Sequence, residues 1–328
     1  MNSLFACHRT LLMLIAVAFA GYCVQSQASD SIEPTYRLLF IAAAPVQAGK
    51  FEHLKPIAAA SGFKLDYLMM DADQAPLSRE QINTYDLLVI DAPYGASITA
   101  IQQHTEPLLK TLDIPWLWIR RDGTQVKSLP STLITPLDAY YSNGGAANFA
   151  GFFCTLQTHF TNDENGACAA PVIHPQAGIY HPNADGQIFA SLDAFLAWRK
   201  MPPETEKARI ALIFHKAYMD SGLTGFIDGA IAQIEQAGAL AIPLYTTAMG
   251  NGEITKMLSV DGSLHADVLI NMQIMLNAVG RKAEFEKLGI PVLQAMPYRQ
   301  GQEADWEANP QGLEAQDIPF YLAQPEYA

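Results

Sequence analysis

Apolar runs of strand length, without polar alternation, recur along the first part of the chain. Residues 37–44 (RLLFIAAA), 85–91 (YDLLVID) and 115–119 (PWLWI) are three of them. Strands of this kind are buried on both faces, as in parallel sheets covered by helices. Residues 51–60 and 99–112 have the pattern of intervening helices. We therefore predict a first α/β lobe of about 100 residues.

A second alternation of strands and helices starts at Arg209. The predicted strands span residues 210–214, 241–245, 267–271 and 291–295, and the predicted helices span residues 225–236, 253–258 and 281–288. Gly238 and Gly289 each follow a helix, where a C-terminal cap favours a residue that tolerates positive φ. The fold class is thus α/β, with two flavodoxin-like or Rossmann-like lobes that contain parallel sheets and right-handed crossovers.

A segment of different character joins the two lobes. It contains a double glycine, an aromatic helix over residues 148–160, a cysteine loop, a proline-rich passage and a short helix over residues 189–198. The polar, proline-containing residues 200–207 that follow indicate a linker. We assign residues 35–200 to the first lobe with this connecting segment, and residues 207–328 to the second lobe.

The N-terminus has the pattern of a secretory signal peptide over residues 1–28. A single positive charge at Arg9 precedes an apolar run over residues 11–20, and Ser26-Gln27-Ala28 offers small residues at a cleavage site. The alternative is a membrane anchor, but the run is shorter than the roughly 20 residues that a bilayer requires. We therefore expect an exported, periplasmic protein.

Two of the four cysteines, Cys154 and Cys168, lie beyond this segment. In an oxidising compartment, a bridge between them would close a loop of about 15 residues and stabilise the fold by about 3 kcal/mol. The turn-forming residues 161–166 (TNDENG) between them favour this pairing. The alternative is two unrelated thiols, and we predict the disulfide.

Composition excludes some classes of function. The formal charge is -13, and because residues 1–28 carry only the positive charge of Arg9, residues 29–328 carry -14. Nucleic-acid binding depends on Lys and Arg displacing counterions, so this acidic chain is not expected to bind nucleic acid. Residues 42–50 contain one glycine and Lys50 but no second glycine at P-loop spacing, which predicts a plain loop with a solvated lysine. We do not expect the chain by itself to hydrolyse ATP.

Histidines and glycines are the remaining candidates for chemistry. His215 ends the first strand of the second lobe, and ligands in open α/β sheets bind beyond the carboxyl ends of strands. For His174 and His181, a structural imidazole and a ligand are both possible. Gly144-Gly145 could form the tight entry into a helix, or could let a ligand approach the backbone.

Several motifs together resemble one family. They are Tyr140-Tyr141 with Gly144-Gly145 and Asn148; Gly178-Ile-Tyr-His-Pro182; Phe189 and Trp198; the strand ending at His215 with Ser221-Gly222; Asp228 with Glu235 and Gly238; and residues 317–326 (DIPFYLAQPE). Over residues 38–328 this set resembles the large subunit of cobaltochelatase and the porphyrin-binding subunit of magnesium chelatase. These subunits are several times longer, so we expect the N-terminal portion of such a subunit.

The resemblance implies a function for the whole family. Its members insert cobalt or magnesium into a corrin or porphyrin, and AAA-type ATPase partner subunits supply the energy of ATP. No catalytic residue is assigned in this portion. The candidate ligand-binding residues, in a cleft between the lobes, are Tyr180, His181, His215, Gly144, Gly145 and Asn148. The alternatives are an exported metal-binding or tetrapyrrole-binding module of a TonB-type uptake system, and a truncated remnant without activity.

Overall fold

The first lobe is built on a five-stranded sheet with the order β2-β1-β3-β4-β5. Its strands are β1 (Tyr36–Ala42), β2 (Phe63–Met69), β3 (Leu87–Asp91), β4 (Trp116–Ile119) and β5 (Gln125–Lys127). The first four are parallel, and β5 is an antiparallel edge strand. All five residues of β3 are buried, as expected of a strand covered on both faces.

Helices cover both faces of this first sheet. They are α1 (Ala48–Ala60), α2 (Arg79–Ile82), α3 (Glu106–Leu109), α4 (Ser131–Asn143) and α5 (Gly145–Thr161). On one face, aromatic residues of α4 and α5, including Tyr141, Phe149 and Phe152, pack with Phe40 and Phe51 in a single core. The opposite face is covered by apolar residues of α2, α3 and the chain around them.

The second lobe contains a five-stranded sheet with the order β12-β11-β7-β8-β6. Its strands are β6 (Ala177–Ile179), β7 (Arg209–His215), β8 (Leu240–Thr246), β11 (Val268–Asn271) and β12 (Val292–Gln294), and a small hairpin joins β9 (Ser259–Val260) to β10 (Ser263–Leu264). The helices are α6 (Leu192–Trp198), α7 (Lys216–Ser221), α8 (Gly225–Gln236), α9 (Glu253–Met257), α10 (Ala278–Leu288) and α11 (Glu303–Ala308), with a 3₁₀ turn at Pro182–Ala184.

The two sheets repeat one topology. The parallel strands of the first sheet have the spatial order β2-β1-β3-β4, and those of the second sheet have the equivalent order β8-β7-β11-β12. In both sheets the second strand thus lies on one side of the first, and the third and fourth lie on the other side. This is the flavodoxin-like order. The prediction of two α/β lobes with parallel sheets is confirmed. The strand β6 comes from the connecting segment, which the sequence grouped with the first lobe, and it pairs antiparallel with β8 of the second sheet. The connecting segment therefore contributes to both lobes.

The computed structural model describes residues 35–43, 46–70, 77–93, 98–99, 101–102, 105–120, 123–163, 166–201, 207–247, 252–273, 277–296 and 303–310. The predicted signal peptide and the motif at residues 317–326 lie outside these ranges. Among the described helices, none combines the length and the apolar character needed to cross a membrane. A disulfide joins Cys154 of α5 to Cys168, with the two Cα atoms 5.9 Å apart.

Candidate functional site at the carboxyl ends of the two sheets

A buried ion pair lies where the strand order of the first sheet reverses, between β1 and β3. Asp91 ends β3 and is 1% exposed, and Lys50 lies in the first turn of α1. The Lys50 Nζ is 2.8 Å from the Asp91 Oδ2, and the Tyr141 hydroxyl donates to the same oxygen at 2.9 Å. The prediction of a solvated Lys50 was therefore wrong. No motif near Lys50 indicates a partner, because the partner is a strand-end carboxylate 41 residues away.

The buried side chain of Tyr141 contacts both members of this ion pair. The phenol ring lies over the ammonium group, with 4.1 Å between Lys50 Nζ and the ring centroid. Burial, and next the charge of Asp91, raise the pKa of Tyr141 well above its ordinary value, so the phenol keeps the proton that it donates. Burying two charges is costly unless their attraction and further hydrogen bonds offset the loss of water. The hydroxyl and the aromatic ring of Tyr141 provide those further interactions.

The second sheet has an ion pair at the carboxyl end of its central strand β7. β7 ends at His215, whose Nδ1 accepts a hydrogen bond from the amide of Ala217 and so caps α7. Lys216, which is 5% exposed, forms an ion pair of 2.6 Å with Asp220 one turn later. Burial, and next the neighbouring Lys216, lower the pKa of His215. Burial is also the largest influence on Asp220 and raises the pKa of that carboxyl.

The two lobes meet at these positions through glycines. Gly144, between α4 and α5, has φ 60° and ψ -165°, and a Cβ on it would lie 1.8 Å from the carbonyl oxygen of Asp220. His53 of α1 packs on Gly222 so closely that a Cβ there would lie 2.5 Å from the ring. We call this contact region, formed by α1 and the α4–α5 turn on one side and residues 216–222 on the other, the junction. The double glycine is thus a contact between lobes as well as the entry into α5.

Residues 168–176, which we call the strap, run from the first lobe to the second. The disulfide at Cys168 and the Tyr140 hydroxyl, which donates to the Ala169 carbonyl at 2.5 Å, hold its start. Asn148 holds its middle, since its side chain donates to the Val172 carbonyl and accepts from the Val172 amide, both at 2.8 Å.

The end of the strap is fixed on the second lobe. The Tyr245 hydroxyl of β8 donates to the Pro175 carbonyl at 3.2 Å, and the Thr247 amide donates to the Gln176 carbonyl at 3.2 Å. Between the two ends, His174 packs on Gly145, where a Cβ would lie 3.3 Å from the imidazole. Burial, and next the charge of Lys216, lower the pKa of His174.

Tyr180 and His181 lie in the second lobe, where they contact α8. The Tyr180 hydroxyl donates to Asp228 at 2.8 Å, and burial raises the pKa of this phenol to about 12. The Nδ1 of His181 accepts from the Asn183 amide, so Nε2 carries the proton and donates to Glu235 at 3.2 Å. Since Asp228 and Glu235 are seven residues apart, about two helical turns, they share one face of α8.

The predicted site residues therefore separate into two groups. One group lies at or beside the junction and consists of Gly144, Gly145 and Asn148. His215 belongs with this group because it directly precedes Lys216 of the junction. Tyr180 and His181 instead tie the segment after β6 to α8, and His181 is 1% exposed and packs against Trp198.

Sequence reasoning missed the charged groups of the site, Lys50, Asp91, Lys216 and Asp220. The rule on carboxyl ends of strands was applied to His215 but applies equally to Asp91, the last residue of β3, and to Lys216, the residue after β7. In the described part of the chain, no group of three or more His, Cys, Asp or Glu side chains is arranged to hold a metal ion.

Comparisons with known proteins identify relatives. The family model for CobN/Magnesium Chelatase matches residues 138–328. The aerobic cobaltochelatase subunit CobN of a Sinorhizobium species is 26% identical over 194 residues, which cover 57% of this chain and 15% of that protein. A magnesium-chelatase subunit of Rhodobacter capsulatus is 23% identical over 168 residues, which cover 48% of this chain and 13% of that protein.

A solved structure shares the fold. The catalytic subunit of cobaltochelatase from Mycobacterium tuberculosis superposes with a TM-score of 0.56 at 17% identity, over 90% of this chain and 24% of that one. The chain thus spans less than a quarter of the length of these relatives.

Proposed function

Since the chain belongs to the CobN/magnesium chelatase family, we propose that it is the N-terminal portion of a cobaltochelatase-like large subunit and contributes to binding the tetrapyrrole substrate. The observation that carries this proposal is that the carboxyl ends of both sheets lie near the junction, with Lys50 paired to Asp91 at the end of β3 and Lys216 directly after β7. Ligands of open α/β sheets bind at such positions. Porphyrins and corrins carry carboxylate side chains, and ammonium groups form charge-assisted hydrogen bonds with carboxylates.

In this proposal the metal and ATP belong to other parts of the assembly. Cobalt or magnesium is a substrate that enters the macrocycle, and ATP acts through AAA-type partner subunits. This N-terminal portion orients the macrocycle by binding the charged substituents of the ring. It also acts as a scaffold, because the strap and the junction hold its two lobes together.

Absorption titration of residues 29–328 tests the proposal. Haem, a free-base porphyrin, a corrinoid and divalent cobalt are added separately, and a shift of the Soret or corrin band reports binding. We expect weaker binding in Lys216→Met and His215→Ala. Two variants serve as matched controls: Lys55→Met, which alters an exposed ion pair on α1, and His159→Ala, near the end of α5.

Two outcomes would refute this assignment. One is no band shift with any tetrapyrrole. The other is an equal loss of affinity in the junction variants and in their controls. His181→Ala is informative as well, because its contacts with Glu235 and Trp198 predict lower stability with unchanged affinity in the folded protein.

A second candidate function is an exported module that binds a metal or a tetrapyrrole in a TonB-type uptake system, without chelatase activity. The disulfide between Cys154 and Cys168 favours export, because disulfides persist in oxidising compartments such as the periplasm.

We propose the periplasm as the location of the protein. Thiol alkylation of fractionated cells tests this: a periplasmic chain whose Cys154 and Cys168 resist alkylation supports export, and a cytoplasmic chain in which both of these thiols are alkylated contradicts it. Neighbouring genes for AAA-type ATPase subunits favour the chelatase, and genes for outer-membrane receptors favour uptake.

A further inference from the structure

The junction is closed in this structure, and its charged groups lie inside it. The Cα of Gly144 rests on the backbone of Asp220, and His53 rests on Gly222. Lys50 and Lys216 lie in the two helices that make these contacts, α1 and α7, and both lysines are buried. A ligand as large as a tetrapyrrole reaches the two lysines only after the lobes have moved apart, so the contacts that hold the lobes together control access.

His174 is the titratable group of the strap at this junction. It faces Lys216 and Asp220 of α7, packs on Gly145 of α5, and bonds to the backbone of Asn143 at the end of α4. Its Nδ1 is buried and has no hydrogen-bond partner among the described residues. With the other ring nitrogen bonded to the Asn143 backbone, a second proton must go to Nδ1. That proton would be buried, without an acceptor, and close to an ammonium group.

The charge of Asp220 and the hydrogen bond to the Asn143 backbone offset this cost only in part, and the pKa of His174 stays below its ordinary value. Lys50 faces Asp220 from the first lobe, and Tyr245 of β8 faces the same carboxyl. Asp220 is already engaged by Lys216 at 2.6 Å. His215, the residue before Lys216, would add a further positive charge if protonated.

We propose that the junction is a pH-sensitive closure: it is shut while His174 is neutral, and protonation of His174 releases the strap and lets the lobes separate. The inference deepens the proposed function, because the carboxyl ends that it exposes are the proposed tetrapyrrole-binding region. An exported protein would encounter such changes in pH, since its compartment equilibrates with the surroundings of the cell.

The direction of the effect follows from the linkage between protonation and closure. Burial, and next Lys216, lower the pKa of both His174 and His215 from the ordinary value of 6.5. Their contribution to the closed form is therefore complete above that value and is lost as the pH falls through it towards the lowered pKa. Asp220 acts in the opposite direction, because burial raises its pKa above 3.8, and its contribution is present in acid and lost as the pH rises. Opening is thus expected in the range below 6.5, where the histidines gain protons.

Small-angle X-ray scattering of residues 29–328, without any ligand, tests the proposal. A compact chain of about 300 residues has a radius of gyration of about 19 Å. We expect a larger radius at about pH 5 than at about pH 7.5, the range in which histidine titrates. Circular dichroism at the same pH values must stay unchanged, because the lobes separate without unfolding.

Two variants locate the effect. His174→Gln keeps an amide donor for the Asn143 carbonyl but cannot gain a charge, so it should stay compact at the lower pH. His159→Gln, on α5 outside the junction, should open as the wild type does. The proposal is overturned by a wild-type radius that is the same at both pH values, by loss of secondary structure together with expansion, or by His174→Gln opening with the wild-type midpoint. The scattering experiment contains no ligand, so its result does not depend on the tetrapyrrole titration. The pH-sensitive closure and the proposed tetrapyrrole binding can therefore be refuted independently.

Discussion

The contact between Gly144 and Asp220 gives a direct test of how the lobes are held together. Replacing Gly144 by Ala places a Cβ where the structure leaves 1.8 Å to the carbonyl oxygen of Asp220. Since this neighbour is backbone, no side chain can rotate away. Either the turn between α4 and α5 distorts, or α7 and the lobe to which it belongs move back.

The size of the effect can be worked from two contributions. Residues forced into backbone regions that essentially only glycine occupies cost about 1–3 kcal/mol, and Gly144, with φ 60° and ψ -165°, lies in such a region. Overpacking that requires backbone shifts costs about 1–3 kcal/mol more. If the lobes stay together, Gly144→Ala lowers the free energy of unfolding by about 2–6 kcal/mol. If they separate, the steric part is relieved, the backbone cost of about 1–3 kcal/mol remains, and the loss of the junction contacts adds to it.

Gly186→Ala is the matched control. Gly186 also has positive φ, at 80°, but a Cβ there would meet nothing within 4 Å. Its cost should be the left-handed penalty alone, about 1–2 kcal/mol. Urea unfolding followed by tryptophan fluorescence measures both losses, and scattering measures the radius of gyration. Equal losses in the two variants with unchanged radii would refute the idea that Gly144 holds the lobes in contact.

Three further predictions concern stability. Lys50→Met leaves Asp91 buried without its cation and should lower the free energy of unfolding by about 3–5 kcal/mol. The double variant Lys50→Met/Asp91→Leu should recover part of that loss. Urea unfolding measures both variants, and a double variant that is no more stable than the single one would contradict the prediction. The double variant Cys154→Ser/Cys168→Ser should lose about 3 kcal/mol of the free energy of unfolding. Wild-type protein treated with reductant should unfold at the same urea concentration as this variant. Different midpoints would count against the disulfide. Tyr180→Phe removes the hydrogen bond to Asp228 and should lower the free energy of unfolding by about 1.5–3 kcal/mol, with tetrapyrrole affinity unchanged. Weaker tetrapyrrole binding by the folded variant would contradict this and indicate that Tyr180 contacts the ligand.

Much of the fold could be predicted from apolar periodicity. The helix expected at residues 225–236 is α8, with the same bounds, and the strand expected at residues 210–214 is β7, one residue longer at each end. The strand β2 was missed because Lys64 and Asp66 interrupt its apolar run, which is typical of an edge strand with one partner. Edge strands carry polar residues that the rule for buried parallel strands does not anticipate.

Helix α4 was missed for another reason. Its sequence contains Pro136 and several residues of modest helix propensity, so local preference alone does not predict it. Packing of Leu137, Tyr140 and Tyr141 into the core stabilises it instead. Most helical stability in proteins comes from such packing, which a single sequence does not display.

The site was harder to predict than the fold, because its partners are distant in sequence. Asp91 lies 41 residues from Lys50, and Asp220 lies 76 residues from Gly144. Motif searches test spacing within one segment, and neither contact depends on such spacing. The disulfide could be anticipated because its two cysteines flank a short turn-rich loop and no other cysteine follows the N-terminal segment.

The motif that is most specific to the family has a structural explanation of its own. Tyr180 and His181 bond to Asp228 and Glu235, so two separate parts of the family pattern contact each other within the second lobe. Together with β6, these bonds fix the segment that follows the strap, and the strap carries His174 to the junction. Residues that identify the family can therefore define the architecture, whereas the proposed binding of a charged macrocycle rests on two buried lysines, Lys50 in the first turn of α1 and Lys216 after β7. For this chain, the first positions to vary in a search for ligand binding are Lys50 and Lys216, and His181 serves as the control for stability.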